Sequence, residues 1–395
     1  MRKHYIDNLR WAAILLLIPY HAAMAWNTWG EPNYIRFEGS RPIISLVVFC
    51  SAFLMPLMFL LAGMSTRFAL GNRGALQSSD GNASNRIAPN SAPARTPNSA
   101  PNSAIARTPR QYLAERVRRL LVPLVFGTVV LMPILTFLAD KFNNQYNGTF
   151  LEHYQVFFTK YTDLTGADGG FSLGQFWFLL YLFVISCIAL GMILLVSKFS
   201  PREKDSPRAR APLPLWTLLC MGLPLPFLSE VLSIGGKSLA EFLYIFLLGY
   251  YVFSRKDVIA KLRRRGALFL TIGVLAGIAN VYLFVWSAES PALLNQAAKF
   301  VAEWFTILGL LGAGSAHFDF KNKVTGFFAR RSFAIFSLHY VFVVTTQYLL
   351  ADAMRDYAAL NFLVPVVLSY GLTFLATELA IRVPVLAFLL GVKGK

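Results

Sequence analysis

The chain has 395 residues, of which 56% are hydrophobic, 14% charged and 34 are Phe. A soluble domain carries nearer a quarter charged residues, so the composition excludes a soluble protein and indicates a polytopic membrane protein. The formal net charge of +17 would suit nucleic acid, but the basic residues are spread over connecting segments rather than gathered in one patch, and no nucleic-acid partner is expected.

Apolar runs of about 20 residues mark helices that cross a bilayer. An all-α fold of ten such helices is predicted: Leu9–Trp29, Ile43–Phe68, Leu120–Ala139, Gln175–Ser197, Pro212–Leu228, Leu239–Phe253, Ala267–Ser287, Ala298–Ala316, Ser332–Leu350 and Asn361–Ile381. The first follows a basic start, as in a signal peptide. Its length, its internal histidine and the spans that follow it predict an uncleaved first helix. Orientation follows from Lys and Arg placement. With the N-terminus inside, 30 of the 37 Lys and Arg residues fall on inner segments. The outer loops hold seven: Arg36, Arg41, Lys141, Lys160, Lys237, Lys299 and Arg355. Both termini are then cytoplasmic, and the lipid bilayer is a partner.

Residues 1–70 carry the first two spans and 111–395 the other eight, within one membrane domain. Between them, 71–110 repeats PNSA and ARTP with almost no large apolar residue. Such a segment cannot bury a core and is expected to be a disordered cytoplasmic loop. The longest outer segment, 140–174, contains FLEHYQVFFTKY, read either as an interfacial helix or as a lid over an external opening. Gly273 and Gly277 offer a small-residue packing face in the seventh span. Cys50, Cys187 and Cys220 all lie in apolar spans and read as small buried hydrophobes.

The first span carries the most informative polar residues. Asp7 and Arg10 lie three apart and are neighbours on a helix. His21 follows Arg10 by eleven residues, which at about 1.5 Å per residue is roughly 16 Å deeper. An ionisable side chain at such depth marks a functional site, and imidazole suits general-base work. His339 follows Arg331 by eight residues in the ninth span, about 12 Å deep. The first and ninth spans run in the same direction, so the two histidines can meet. In ERVRRLLVP, Arg116 and Arg119 share a helical face and read as a phosphate clamp or as membrane anchors. Glu378 stands four residues before Arg382, a spacing that allows an ion pair. Glu241 and Glu303 fall near outer span ends, within reach of water. Trp177 reads as an interface aromatic. No metal-ligand spacing, glycine-rich phosphate loop or GxSxG elbow is present.

The segments YIDNLRWAAILLLIPYH, PLMFLLAGMSTRF, ERVRRLLVP, GQFWFLLYL, SFAIFSLHY and ATELAIRVPVLAFLLGVKGK together resemble the acyltransferase 3 family of membrane acyltransferases. The likeness is greatest to the branch that succinylates periplasmic glucans. Arg10 and His21 match that family's Arg–ten residues–His pattern, and Arg116 and Arg119 its Arg-x-x-Arg. Gln175 stands where the branch often has histidine, which puts acceptor choice in question. The resemblance implies a bacterial inner-membrane enzyme that moves an acetyl or succinyl group from cytoplasmic acyl-CoA to a carbohydrate or glucan hydroxyl. It needs no bound cofactor. His21 would act as base or carry the acyl group, and His339 or a helix-bound polar group would stabilise the oxyanion. Arg10, Arg116 and Arg119 would bind the donor, with Asp7, Trp177 and Glu378 in support. A transporter of a small or glycan-linked solute is the alternative reading.

Overall fold

The computed structural model describes residues 3–71, 107–199 and 211–392. The repeat-rich segment expected at 71–110 lies outside these residues except for its two ends. About 75% of the structure is helical, and the only strands among the described residues are a two-residue hairpin, β1 Ser233–Ile234 and β2 Lys237–Ser238.

Helix α1 spans His4–Met24, α2 Arg41–Ser51 and α3 Leu54–Leu70. Helix α4 runs over Pro109–Asn143, with π-helical turns at Val117–Leu121 and Gly127–Leu131. A short α5, Phe150–Thr159, leads to α6, Trp177–Phe199. Two brief helices follow, α7 Leu215–Cys220 and α8 Leu225–Leu228. Helix α9, Leu239–Leu248, ends in a π turn at Gly249–Phe253. Helix α10 is Lys256–Val281, α11 Ala292–His317, α12 Lys323–Leu350, α13 Ala358–Ala380 and α14 Pro384–Leu389.

Seven helical stretches of the described residues, with α2 and α3 taken together as one, are long and apolar enough to cross a membrane. The chain is thus a multi-pass membrane protein. Helix α1 is not among the seven, since Asp7, Asn8, Arg10 and His21 dilute its apolarity. The apolar stretches Leu215–Leu228 and Leu239–Phe253 are shorter. The second predicted span is broken at Ala52–Phe53 into α2 and α3. The first ends at Met24, not Trp29.

Helix α1 is central. It packs on α12, α13, α2, α3 and α11, and one continuous apolar core runs from Tyr5 to Val366. At its start, Asn8 donates to the Phe318 and Phe320 carbonyls at 2.6 and 2.9 Å. Near its end, the Gln347 amide donates to the Ala22 carbonyl at 2.9 Å. These contacts fix α1 and α12 as parallel neighbours. Elsewhere, helices approach closely through glycine. A Cβ on Gly63 would lie 2.0 Å from the Phe246 carbonyl oxygen, and one on Gly312 2.4 Å from that of Leu262. Gly273 meets Thr306 of α11, whereas Gly277 faces Phe49 of α2, so the expected small-residue pair serves two different neighbours.

Proline inside a helix leaves the carbonyl four residues earlier without a donor, and a bilayer supplies no water to replace it. Tyrosine fills this gap twice. Pro19 in α1 frees the Leu15 carbonyl, which accepts from the Tyr370 hydroxyl at 2.8 Å. Pro133 in α4 frees the Val129 carbonyl, which accepts from Tyr154 of α5 at 3.0 Å. The first of these bonds stabilises a proline site two residues before His21. Tyr370→Phe should lower unfolding stability by about 1 kcal/mol, measured as a lower midpoint in detergent denaturation. Phe374→Leu, one turn further along the same helix, should leave the Leu15 bond intact and serves as the comparison.

Candidate active site

His21 lies in the last turn of α1, nearer the helix end than the predicted span placed it, because α1 stops at Met24. His339 lies in the interior of α12. The parallel packing of the two helices brings the imidazole rings together, with centroids 5.3 Å apart. The His21 ring is stacked on Tyr340 at 4.1 Å, with the planes 24° apart, and Tyr20 meets it edge-on at 5.3 Å. Nδ1 of His339 lies 2.7 Å from the Phe336 carbonyl oxygen. A carbonyl only accepts, so this bond places the proton of the neutral ring on Nδ1 and leaves Nε2 with a bare lone pair. His339 Nε2 and His21 Nδ1 are both buried without a partner. Buried polar atoms are nearly always satisfied, so a facing pair of orphans stands out. In that tautomer His339 Nε2 accepts hydrogen bonds rather than donating them.

Two loops close over this pair. The Tyr340 hydroxyl donates to Asn33 Oδ1 at 3.2 Å, and the Tyr34 ring lies edge-on to Tyr340 at 5.2 Å. The Tyr34 hydroxyl is 3.1 Å from Ser172 Oγ. The Asn143 amide nitrogen donates to the carbonyls of Asn33, Tyr34 and Ala167 at 3.1, 3.2 and 2.9 Å. It thereby joins the loop after α1 to the segment 160–174. That segment is itself folded. Burial pushes the Asp168 carboxyl up, but bonds from Thr162, the Gly170 amide and Lys160 outweigh it and hold the group below its ordinary range. His153 of α5 is fully buried 3.4 Å from Asp140 Oδ2. Burial lowers its basicity, and the carboxylate only partly opposes this. Gln175 is buried, donates to the Ser337 carbonyl at 3.3 Å, and keeps Oε1 without a partner.

The arginines gather at the opposite end of α1. Arg10 contacts Asp7 Oδ1 at 3.2 Å, Ser65 Oγ at 2.7 Å and the Leu61 carbonyl at 3.4 Å. Arg116 donates to Thr66 Oγ1 at 2.9 Å and lies over the Tyr112 ring at 4.9 Å. Adjacent residues of α3, Ser65 and Thr66, therefore each seat one of the two guanidinium groups. Arg119 has a carboxylate partner. The π turn at Val117–Leu121 widens the helix there, and Arg119 pairs back to Glu115 at 3.1 Å. The sequence carried no sign of the seats Ser65, Thr66 and Tyr112, because each is an ordinary residue whose part depends on a neighbour far along the chain.

The remaining candidates fall away from the histidines. Trp177 packs edge-on to Tyr181 at 5.2 Å, with Lys237 over its ring at 5.2 Å. Ring contacts through Phe178 and Phe336 separate it from His339. Glu378 is ion-paired with Arg331 of α12, not with the expected Arg382. Here helix packing overrides the local spacing rule, and Arg331 also lies over the Phe327 ring at 3.9 Å. Glu241 and Glu303 do not reach water. They are 8% and 1% exposed and face each other between α9 and α11. No group of three or more His, Cys, Asp or Glu suited to a metal ion occurs among the described residues.

Glu378→Leu strands the Arg331 charge in a largely buried position and should cost about 3 kcal/mol or less, given its partial exposure. Arg331→Leu/Glu378→Leu should recover most of that loss. Thermal denaturation of the purified single and double variants checks this, and equal losses in both would contradict it.

The family model described as an acyltransferase domain matches residues 3–381. No curated protein and no solved structure matches the chain. The match covers α1 to the end of α13, and so includes the paired histidines and both arginine seats. The chain belongs to the acyltransferase 3 family of membrane acyltransferases.

Proposed function

We propose that the protein transfers an acetyl- or succinyl-type group from acyl-CoA to a hydroxyl of a carbohydrate or glucan. The observation that carries this reading is a buried pair of unsatisfied imidazole nitrogens at one end of α1, with two seated guanidinium groups at the other. Arg10 and His21 are eleven residues apart on one helix, or roughly 16 Å, a span the pantetheine arm of CoA can bridge. Arg10 and Arg116 grip the donor phosphates with charge-assisted bonds, and Arg119 adds positive charge beside them. Asp7 holds Arg10 in place.

In the transfer, His21 takes the proton of the acceptor hydroxyl while its oxygen attacks the thioester carbon. The C–S bond breaks, and the CoA thiolate leaves and receives the proton from His21. The bare Nε2 of His339 stabilises the His21 imidazolium as it forms. The products are the carbohydrate ester and CoA thiol. Basic-residue placement supports ten crossings with both termini cytoplasmic. In that arrangement α1, Leu215–Leu228 and Leu239–Phe253 supply the three crossings beyond the seven long helices. The arginine seats then face the cytoplasm of a bacterial inner membrane, and the loops over the histidines face the acceptor. The one observation that favours solute passage instead is Glu303, buried with Oε1 unpartnered.

The test is acceptor-dependent release of CoA thiol by the purified protein in nanodiscs, with acetyl- or succinyl-CoA and a glucan. His21→Ala should lower kcat at least about 100-fold at equal abundance. A rate equal to wild type would reject the base role, and solute flux without thioester loss would favour the transporter. Arg116→Ala should raise KM for acyl-CoA about tenfold, as expected for loss of one charge-assisted bond, with little change in kcat. An unchanged KM would return Arg116 to an anchoring role.

A further inference from the structure

Tyr340 is a buried side chain that touches both His21 and the loops above it. Its ring lies 4.1 Å from the His21 ring, nearly parallel. Its hydroxyl, in a side chain 4% exposed, is spent on Asn33 at 3.2 Å. Asn33 Oδ1 also accepts from the Tyr34 amide at 2.9 Å, which fixes the direction of the Asn33 side chain. Asn143 then clamps the backbone of both residues and ties them to Ala167. A second strap runs from Tyr34 through Ser172 to the Gly174 amide, next to Gln175.

A buried phenol could satisfy itself on a carbonyl of its own bundle, as Tyr370 does. Instead, the Tyr340 hydroxyl is turned outward to a loop. His21 has no hydrogen-bond partner at Nδ1, so the plane of its ring is held by stacking rather than by a bond. A free imidazole near the end of a helix has several rotamers. The Tyr340 face removes those that turn the ring away, and Asn33 holds that face in place.

We infer that Tyr340 is a positioning residue for His21, and that its bond to Asn33 couples the seating of the acceptor-side loops to the alignment of the base. The inference rests on the reading of His21 as the general base. It makes the loop after α1 and the segment 160–174 a single cap. When the cap is closed, Asn33 is in place and His21 is aligned. When the cap lifts to admit a carbohydrate, the Asn33–Tyr340 bond opens and the base loses its alignment. The thioester is then poised for attack only under a closed cap, which limits its loss to water.

Tyr340→Phe keeps the stacked ring and removes only the tether. It should lower kcat about tenfold, in line with one lost hydrogen bond, and leave KM for acyl-CoA unchanged. Asn33→Ala should show the same split. Tyr340→Phe combined with Asn33→Ala should lose no more than Asn33→Ala alone, because both break the Tyr340–Asn33 bond. A readout independent of turnover is carbethoxylation of His21 by diethyl pyrocarbonate, mapped by mass spectrometry with exposed His317 as the internal reference. Labelling of His21 relative to His317 should rise several-fold in either single variant. The inference is overturned if His21 labelling is unchanged in both variants. It is also overturned if the two kcat losses multiply, or if kcat and KM change together with a lowered melting midpoint. If the wild-type protein transfers no acyl group, the proposed function fails, and the labelling still decides whether Tyr340 positions His21.

Discussion

The site depends on the parallel packing of α1 and α12. Asn8 fixes the start of α1 to the turn before α12, and Gln347 fixes the far end of α12 to Ala22. Between these two anchors the helices are in register, and His21 meets His339 and Tyr340. Two helices distant in sequence thus supply the halves of one site. A slip of one turn, about 5.4 Å, would separate the rings.

Apolar surroundings set the second constraint. Each polar atom inside the bundle has to find a partner within the protein. Tyr370 and Tyr154 fill the carbonyls that Pro19 and Pro133 leave open. Glu378 and Arg331 neutralise each other. Against that general satisfaction, the few orphaned atoms carry information. Two of them, His21 Nδ1 and His339 Nε2, lie in rings 5.3 Å apart. The same constraint explains the arginines, which are seated on Ser65 and Thr66 rather than left to reach water at random.

Much of the fold was legible, because a membrane helix is written as a long apolar run. Its irregularities were not. The break at Ala52–Phe53, the π turns of α4 and the early end of α1 leave no trace in hydropathy. The histidines were legible for the same reason as the helices: an ionisable group stands out against an apolar run. Their partners were not. Asn33, Tyr34, Ser172 and Tyr340 are common residues in loops and spans, and they acquire meaning only when the chain closes. The pairing of Glu378 with Arg382 and the hydration of Glu303 were read from local spacing and from span ends. Helix-to-helix contact decides both, and it places Glu378 on Arg331 and buries Glu303.

The central claim is that the acyl end of the donor reaches the histidine pair while its phosphates stay at the arginine seats. Photo-crosslinking with an acyl-CoA bearing a diazirine at the end of its acyl group, followed by peptide mapping, tests this directly. The account predicts labelled residues on α1 around 17–21 and on α12 around 336–340, competed away by unmodified acyl-CoA. Competable labels confined to the arginine end, or to the α10–α11 hairpin, would contradict it.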